Sequence, residues 1–244
     1  MIYGECINGW TERHSGVTKR SSGYAAMTST KTSATAAALT ATLGLATICW
    51  CISIPLMSGM EMGAQTQLGS FESFILMWVL MMAAMMLPGM APTVFRYALS
   101  SGRLDSVLLF VGSYLMVWTS IGVLVFTFYQ PHGTLLAGAI TIAAGLYEFT
   151  PLKQLCRRRC CEAIHSGFEY GLYCVGSCIG LMLMQVALGV MSIRWMAVLT
   201  VLIMAQKLLP SRTIIDVPLA LMIVGLGMLI LIAPSLVPGL TVPM

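Results

Sequence analysis

Charged side chains are scarce in this 244-residue sequence, which has 13 Lys and Arg, 9 Asp and Glu and 3 His. Asp, Glu, Lys and Arg make up 9% of its residues, against about 25% in a soluble domain. The chain also lacks a haem-attachment motif, a glycine-rich phosphate loop, a zinc-protease motif and a nucleophile elbow. These absences argue against a soluble enzyme of a common class, and nothing resembles an ATP-binding domain that would drive a pump.

Long apolar runs are what the sequence has instead, since 58% of its residues are hydrophobic. A transmembrane helix needs roughly 20 mostly apolar residues, and a chain in lipid must satisfy its backbone hydrogen bonds internally. Because two runs are short, the sequence predicts an all-α, polytopic integral membrane helix bundle with six or seven transmembrane helices in the lipid bilayer. The predicted spans are residues 34–57, 71–95, 106–129, 133–149, 170–191, 196–209 and 214–233.

The basic residues predict the orientation of this bundle. All Lys and Arg residues except Arg194 fall on one side of the predicted spans. Since basic residues accumulate in cytoplasmic loops, the N-terminus is predicted to be cytoplasmic. Topology then explains the net charge of +4, and no nucleic-acid partner is inferred. Residues 1–33 are polar and are predicted to form a disordered cytoplasmic segment, followed by a single transmembrane domain over residues 34–244.

Sulfur-bearing side chains recur at helical spacing in the fifth predicted span. Cys174, Cys178 and Met182 follow a four-residue step, which places them on one face of a helix. Thiolates and thioethers favour Cu(I) or a similar thiophilic ion. Cys174 and Cys178 can share one ion, whereas Met182 needs another site or a relay step. Equally open is a glycine-packed helix in which the cysteines only fill space.

The loop before this span adds two thiols, and the end of the fourth predicted span adds an acid. Cys156 and Cys160 lie in a predicted cytoplasmic loop, where thiols stay reduced, and they share one face if the loop is helical. The adjacent arginines favour thiolates or only set the topology. Glu148 lies near membrane depth and is a functional candidate with Lys153 or Lys207 as partner; the alternative is an interfacial carboxylate that reaches water.

The second predicted span carries two methionine stripes, and the chain has 20 methionines in all. Their thioethers are soft, neutral ligands that can pass Cu(I) along a helix, although methionine is also a pliable packing residue. The candidate ligands among them are Met81, Met85 and Met86. Pro88 and Pro92 are predicted to kink or end this helix.

Several of these motifs together resemble the bacterial family of predicted metal-binding integral membrane proteins called domain of unknown function 2182. The resemblance implies that the cysteines and methionines are suspected metal ligands, and it implies no reaction. The chain departs from the family pattern at Ser177, Ile179 and Gln206, where a thiol, a tryptophan and an acid are expected. The matching strings are Trp78-x2-Met81-x2-Ala84-Met85-Met86-x-Pro88, Thr150-Pro-Leu-Lys153-x2-Cys156-x3-Cys160 and Gly171-x2-Cys174-x-Gly176-x-Cys178-x3-Met182.

Three functions remain open at this point. The first is a metal-handling protein of the bacterial inner membrane that binds or relays copper as Cu(I), starting from Met60 and Met62 on the outside. The second is a non-catalytic accessory or structural subunit that associates with other membrane subunits. The third is a membrane oxidoreductase that uses a bound metal or the thiols. The sulfur pattern favours copper handling, and an enzyme is the least favoured of the three.

Overall fold

The computed structural model describes residues 24–57, 69–130, 133–163, 165–190, 192–208 and 213–234. Within these ranges the chain forms eight α-helices and no strand, which confirms the all-α prediction. The helices are α1 (Tyr24–Met57), α2 (Phe71–Ser101), α3 (Leu104–Phe128), α4 (Thr134–Glu148), α5 (Pro151–Glu162), α6 (Gly167–Leu188), α7 (Ile193–Leu208) and α8 (Thr213–Ile232).

Each predicted span coincides with one helix, and α5 is the additional element. Four helices are long and apolar enough to cross a membrane: α1 over Thr35–Met57, α2, α3 and α6. A fifth candidate joins α4 to Pro151–Cys160 across a 64° bend. In the described part of the chain, length and composition therefore give four or five candidate spans, and the prediction of six or seven is not confirmed.

The start of α1 bears on the predicted domain boundary. α1 begins at Tyr24, which lies inside the segment 1–33 that was predicted to be disordered. Residues 1–23 lie outside the described residues, so the cytoplasmic segment and the transmembrane domain of residues 34–244 stay predictions.

Helix α2 forms the buried centre of the bundle. It begins after Ser70, whose side chain accepts a hydrogen bond from the Ser73 N–H, and it ends at Gly102, which has a left-handed φ of 63°. The prediction was that Pro88 and Pro92 kink or end this helix; the helix continues through both, so they do not end it. Pro88 has no N–H to donate to the Ala84 carbonyl oxygen, and Trp50 Nε1 of α1 donates to that oxygen instead, at 3.1 Å, so a neighbouring helix satisfies the freed carbonyl.

The packing of the helices determines which residues can meet. Among the described residues, α2 packs mainly on α1, α3 and α7, whereas α6 packs mainly on α3, α4 and α5. Helix α4 also packs along α8. The carboxyl ends of α2, α4 and α7 thus lie with the amino ends of α3, α6 and α8, and this end of the bundle holds the buried Glu148, Lys153 and Gln206.

Candidate functional site

Helix α6 carries the thiols that the sequence pattern selected. Gly167 brings α6 so close to α3 that a β-carbon there would collide with the Phe110 carbonyl. Cys174 lies about 10 Å along the helix from Gly167, and Cys178 lies one turn further. The two cysteines are 0% and 2% exposed. The four-residue spacing therefore places both thiols inside the bundle, near its polar end.

A lysine from another helix contacts the first thiol. Lys207, near the end of α7, donates a hydrogen bond from Nζ to the Cys174 Sγ at 3.1 Å. Its stem lies against Gly89 of α2, since a β-carbon there would be 2.8 Å from the Lys207 Cδ. Lys207 thus connects the methionine-rich helix to the thiol helix. The sequence suggested Lys207 only as a partner for Glu148, and its contact with a thiol was missed.

Two tyrosines complete the surroundings of Cys174. The Tyr114 hydroxyl oxygen lies 3.3 Å from the Cys174 Sγ, and Tyr114 is fully buried in α3. The rings of Tyr114 and Tyr170 lie 5.9 and 5.8 Å from the Lys207 Nζ, within cation–π range. No local pattern in the sequence marked Tyr114, because its role depends on a contact between distant helices.

The second thiol has a hydroxyl beside it. Ser177 Oγ lies 3.6 Å from the Cys178 Sγ and donates a hydrogen bond to the Cys174 carbonyl oxygen at 2.9 Å. Ser177 is one of the positions at which the chain departs from the motif, where a third thiol is expected. The hydroxyl is a hard ligand, so the soft donors of this cluster are the two cysteines.

Helix α5 places the other two predicted thiols against α6. Thr150 caps its first turn and Pro151 occupies the position after the cap. The residues that face the bundle follow a helical period: Lys153 is buried, and Cys156 and Cys160 are half-buried. Because α5 is helical, the condition for placing both thiols on one face is met.

Both α5 thiols lie against α6. A β-carbon on Gly176 would be 2.6 Å from the Cys156 Sγ, so this sulfur rests on the α6 backbone between Cys174 and Cys178. The Cys160 Sγ lies 4.0 Å from the Tyr170 carbonyl oxygen, which is about 9 Å closer to the start of α6. The α5 thiols therefore lie on the side of α6 that faces α5, whereas Cys174 faces Lys207 of α7 and Tyr114 of α3.

A buried ion pair lies beside the thiols. Glu148, at the end of α4, pairs with Lys153 through its Oε2, and the two side chains are 0% and 3% exposed. Gln206 Nε2 donates to the same oxygen at 2.8 Å. The structure thus selects Lys153 as the partner of Glu148. Gln206, where the family pattern has an acid, instead supplies a neutral hydrogen-bond donor.

A second ion pair connects α5 to the last helix. Arg157 Nη1 lies 2.8 Å from the Asp216 Oδ1, and Arg157 Nη2 also donates to the Gln206 carbonyl oxygen. Arg157 is therefore part of the packing of the bundle in addition to any effect on topology. Asp216 was not selected from the sequence, although it is a lone acid at the start of an apolar helix.

The candidate methionine ligands are buried, but their burial does not distinguish them from packing residues. Met81, Met85 and Met86 are at most 1% exposed, and Met182 is 3% exposed. Both methionine stripes are enclosed, which fits packing as well as metal relay. Met60 and Met62 lie outside the described residues. Within the described ranges, no three His, Cys, Asp or Glu side chains form a group that could hold a metal ion.

Comparison with known proteins shows the family of this chain. No curated protein and no solved structure matches the chain at a significant level. A family model described as the copper chaperone PpoB2 matches residues 75–230. The description is not that of the family named from the motifs, but it is copper-related. The matched region contains α3–α7 entirely, with most of α2 and α8. Because this region is more than half of the sequence, the chain belongs to the PpoB2 copper chaperone family.

Proposed function

We propose that this chain is an integral membrane copper chaperone in which Cys174 and Cys178 bind Cu(I) as cargo. The observation that carries the proposal is the buried Cys174 sulfur, which Lys207 and Tyr114 contact at 3.1 and 3.3 Å in a chain of a copper chaperone family. Soft sulfur ligands suit Cu(I), and they bind metal as thiolates. A lysine ammonium beside them offsets their negative charge.

The outer faces of the helices support a membrane location. Large apolar side chains such as Leu108, Leu109 and Leu135 are 66%, 75% and 78% exposed. Soluble proteins rarely expose extensive apolar surface of this kind, whereas a lipid bilayer would cover it. The polar end of the bundle carries the basic residues of α5 and the end of α7. By the positive-inside rule this end is cytoplasmic, and we place the chain in the bacterial inner membrane.

The α5 thiols suit the transfer of copper to and from the buried pair. Cys156 touches the α6 backbone between the two buried cysteines, and Cys160 lies nearer the helix start. Both are half-buried, so a partner can reach them without unfolding the bundle. A transfer route of this kind runs from Cys160 through Cys156 to Cys178 and Cys174. Met182, Met81, Met85 and Met86 are the candidate continuation of this route, and Glu148 holds α5 in place.

Copper content tests the cargo site. Detergent-purified protein loaded with Cu(I) under anaerobic conditions is expected to retain about one copper per chain, because two thiolates share one soft ion. The Cys174→Ser/Cys178→Ser variant is expected to retain almost none, as measured by mass spectrometry after desalting. The matched control is Cys49→Ser/Cys51→Ser, which removes two thiols from α1 and keeps the copper.

Two results would contradict this assignment. Copper retained in the Cys174→Ser/Cys178→Ser variant would place the ligands elsewhere. If the wild-type protein binds no copper and instead purifies with a stoichiometric membrane partner, the chain is the accessory subunit that was the alternative function.

The transfer role of α5 is tested separately by kinetics. The Cys156→Ser/Cys160→Ser variant is expected to keep the wild-type equilibrium affinity for Cu(I), because the buried pair is intact. Release of Cu(I) to a colorimetric chelator is expected to slow about tenfold, which corresponds to ~1.4 kcal/mol in the barrier. Stopped-flow absorbance measures the rate, with Cys51→Ser as control. An unchanged rate would show that copper reaches the pair by another path.

A further inference from the structure

Lys207 has a charge environment unlike that of the other inward-facing cations at this end of the bundle. Lys153 is paired with Glu148, and Arg157 is paired with Asp216, so each of these pairs is neutral by itself. Among the side chains that the structure describes, no carboxylate lies within ion-pair distance of Lys207. Its ammonium faces a thiol and two tyrosine rings instead.

The placement of the ammonium is enforced by packing. The Lys207 stem occupies the space that the missing side chain of Gly89 leaves on α2. The ammonium group then lies 5.9 and 5.8 Å from the centres of the Tyr114 and Tyr170 rings and contacts the Cys174 sulfur. A lysine ammonium has three donors and no acceptor, so in its charged form it neighbours a bound metal without being a ligand. Its contribution is a fixed positive charge.

The charge count distinguishes two classes of soft cation. Two thiolates carry two negative charges, and Lys207 carries one positive charge. A monovalent ion therefore makes the cluster neutral, whereas a divalent ion leaves one net positive charge in a buried site. An uncompensated charge inside a protein is costly. An opposite or like charge within about 4–6 Å changes an equilibrium by about one to three orders of magnitude.

We propose that Lys207 is the residue that sets the cation selectivity of the thiol pair: it favours monovalent soft ions such as Cu(I) and Ag(I), and it excludes divalent soft ions such as Zn(II) and Cd(II). This inference rests on the proposed function, because it takes Cys174 and Cys178 as the ligands. Lys207 acts as a positioning charge and not as a ligand. Selectivity arises from charge because both classes of ion accept thiolate ligands.

The test compares affinities for Cu(I) and Cd(II) in purified protein. Chelator competition measures Cu(I) binding, and the ultraviolet thiolate-to-metal absorption measures Cd(II) binding. In Lys207→Met the Cu(I) affinity is expected to fall about tenfold and the Cd(II) affinity to rise about tenfold, so the ratio falls about a hundredfold. Lys207→Arg keeps the charge and is expected to keep most of the wild-type ratio.

A second variant tests the same idea without removing the lysine. Gly89→Ala places a methyl group against the Lys207 stem and is expected to displace the ammonium, so the ratio should fall in part. Gly112→Ala is its control, because a methyl group there meets nothing within 4 Å. If Lys207→Met is poorly folded, the Gly89→Ala result decides the question.

The outcomes separate this inference from the function on which it rests. A wild-type protein that binds no Cu(I) overturns both. A wild-type protein that binds Cu(I), with the Cu(I)-to-Cd(II) ratio unchanged in Lys207→Met, or unchanged in Gly89→Ala where Lys207→Met does not fold, overturns the selectivity role alone. A merely structural lysine would weaken the binding of both ions together and leave that ratio constant.

Discussion

Replacing Lys153 by methionine is expected to destabilise the folded protein by about 3–5 kcal/mol, because a buried carboxylate would lose its counter-charge. Glu148 and Lys153 are 0% and 3% exposed, and Gln206 is the other described donor to the paired oxygen. An amide hydrogen bond does not neutralise a carboxylate. Thermal unfolding in detergent, followed by circular dichroism, measures the loss.

Two variants show whether burial causes this effect. The Lys153→Met/Glu148→Gln variant removes both charges and is expected to recover most of the stability, because no lone charge is left inside. Arg103→Met breaks the Arg103–Asp105 pair, whose side chains are 74% and 86% exposed, and is expected to cost less than about 1 kcal/mol. If Lys153→Met costs no more than Arg103→Met, water reaches Glu148 and the pair is not buried.

The same variant should also loosen α5. The ion pair lies at the 64° bend and connects the end of α4 to α5, which packs against α6. Once the pair is broken, the Cys156 thiol should separate from Gly176 and react faster with a maleimide. The ion pair therefore connects the stability of the α4–α5 bend to the accessibility of the proposed transfer thiols.

The sequence predicted the helices well for a simple physical reason. An apolar run of membrane length is a local property, so each predicted span coincides with a helix; most ends agree to within three residues, whereas α1 begins ten residues before its span and α2 ends six residues after it. Apolar runs do not reveal α5, because its arginines have no apolar run around them. Of the predicted kink or end at Pro88 and Pro92, the end does not occur, since α2 continues to Ser101 and Trp50 of α1 satisfies the Ala84 carbonyl that Pro88 leaves free.

The candidate site was less predictable because its contacts come from several helices. The four-residue spacing of Cys174 and Cys178 is visible in the sequence and predicts a shared face, but only the packing of α6 shows that this face is buried. Lys207 and Tyr114 reach Cys174 from α7 and α3, and no local spacing encodes those approaches. The choice between Lys153 and Lys207 as partner of Glu148 was likewise decided by the packing of α5.

Helices α4 and α8 are held together by reciprocal close contacts at glycines. A β-carbon on Gly145 would be 2.6 Å from the Val224 Cγ2 and 2.9 Å from its backbone nitrogen. A β-carbon on Gly227 would be 2.6 Å from the Ile142 Cγ1 and 2.9 Å from its backbone nitrogen. Small residues let helix backbones approach in this way in membrane proteins. A backbone atom cannot rotate aside, so any side chain at these glycines must push the helices apart.

The Gly145→Ala/Gly227→Ala variant is therefore expected to lower the free energy of unfolding by about 2–6 kcal/mol, since overpacking at each site costs about 1–3 kcal/mol. The control is Gly112→Ala/Gly225→Ala, because a methyl group at either position meets nothing within 4 Å. These two substitutions replace glycine by a better helix former and are expected to be neutral or stabilising. Both pairs of changes are identical in chemistry, and Gly225 and Gly227 lie on the same helix. Changes of opposite sign in the free energy of unfolding, measured by thermal unfolding in detergent, would thus report the α4–α8 contact itself. Equal changes would mean that the two helices are not closely packed.

Because Asp216 and Arg157 connect the start of α8 to α5, separation of α8 should also increase the maleimide reactivity of Cys156.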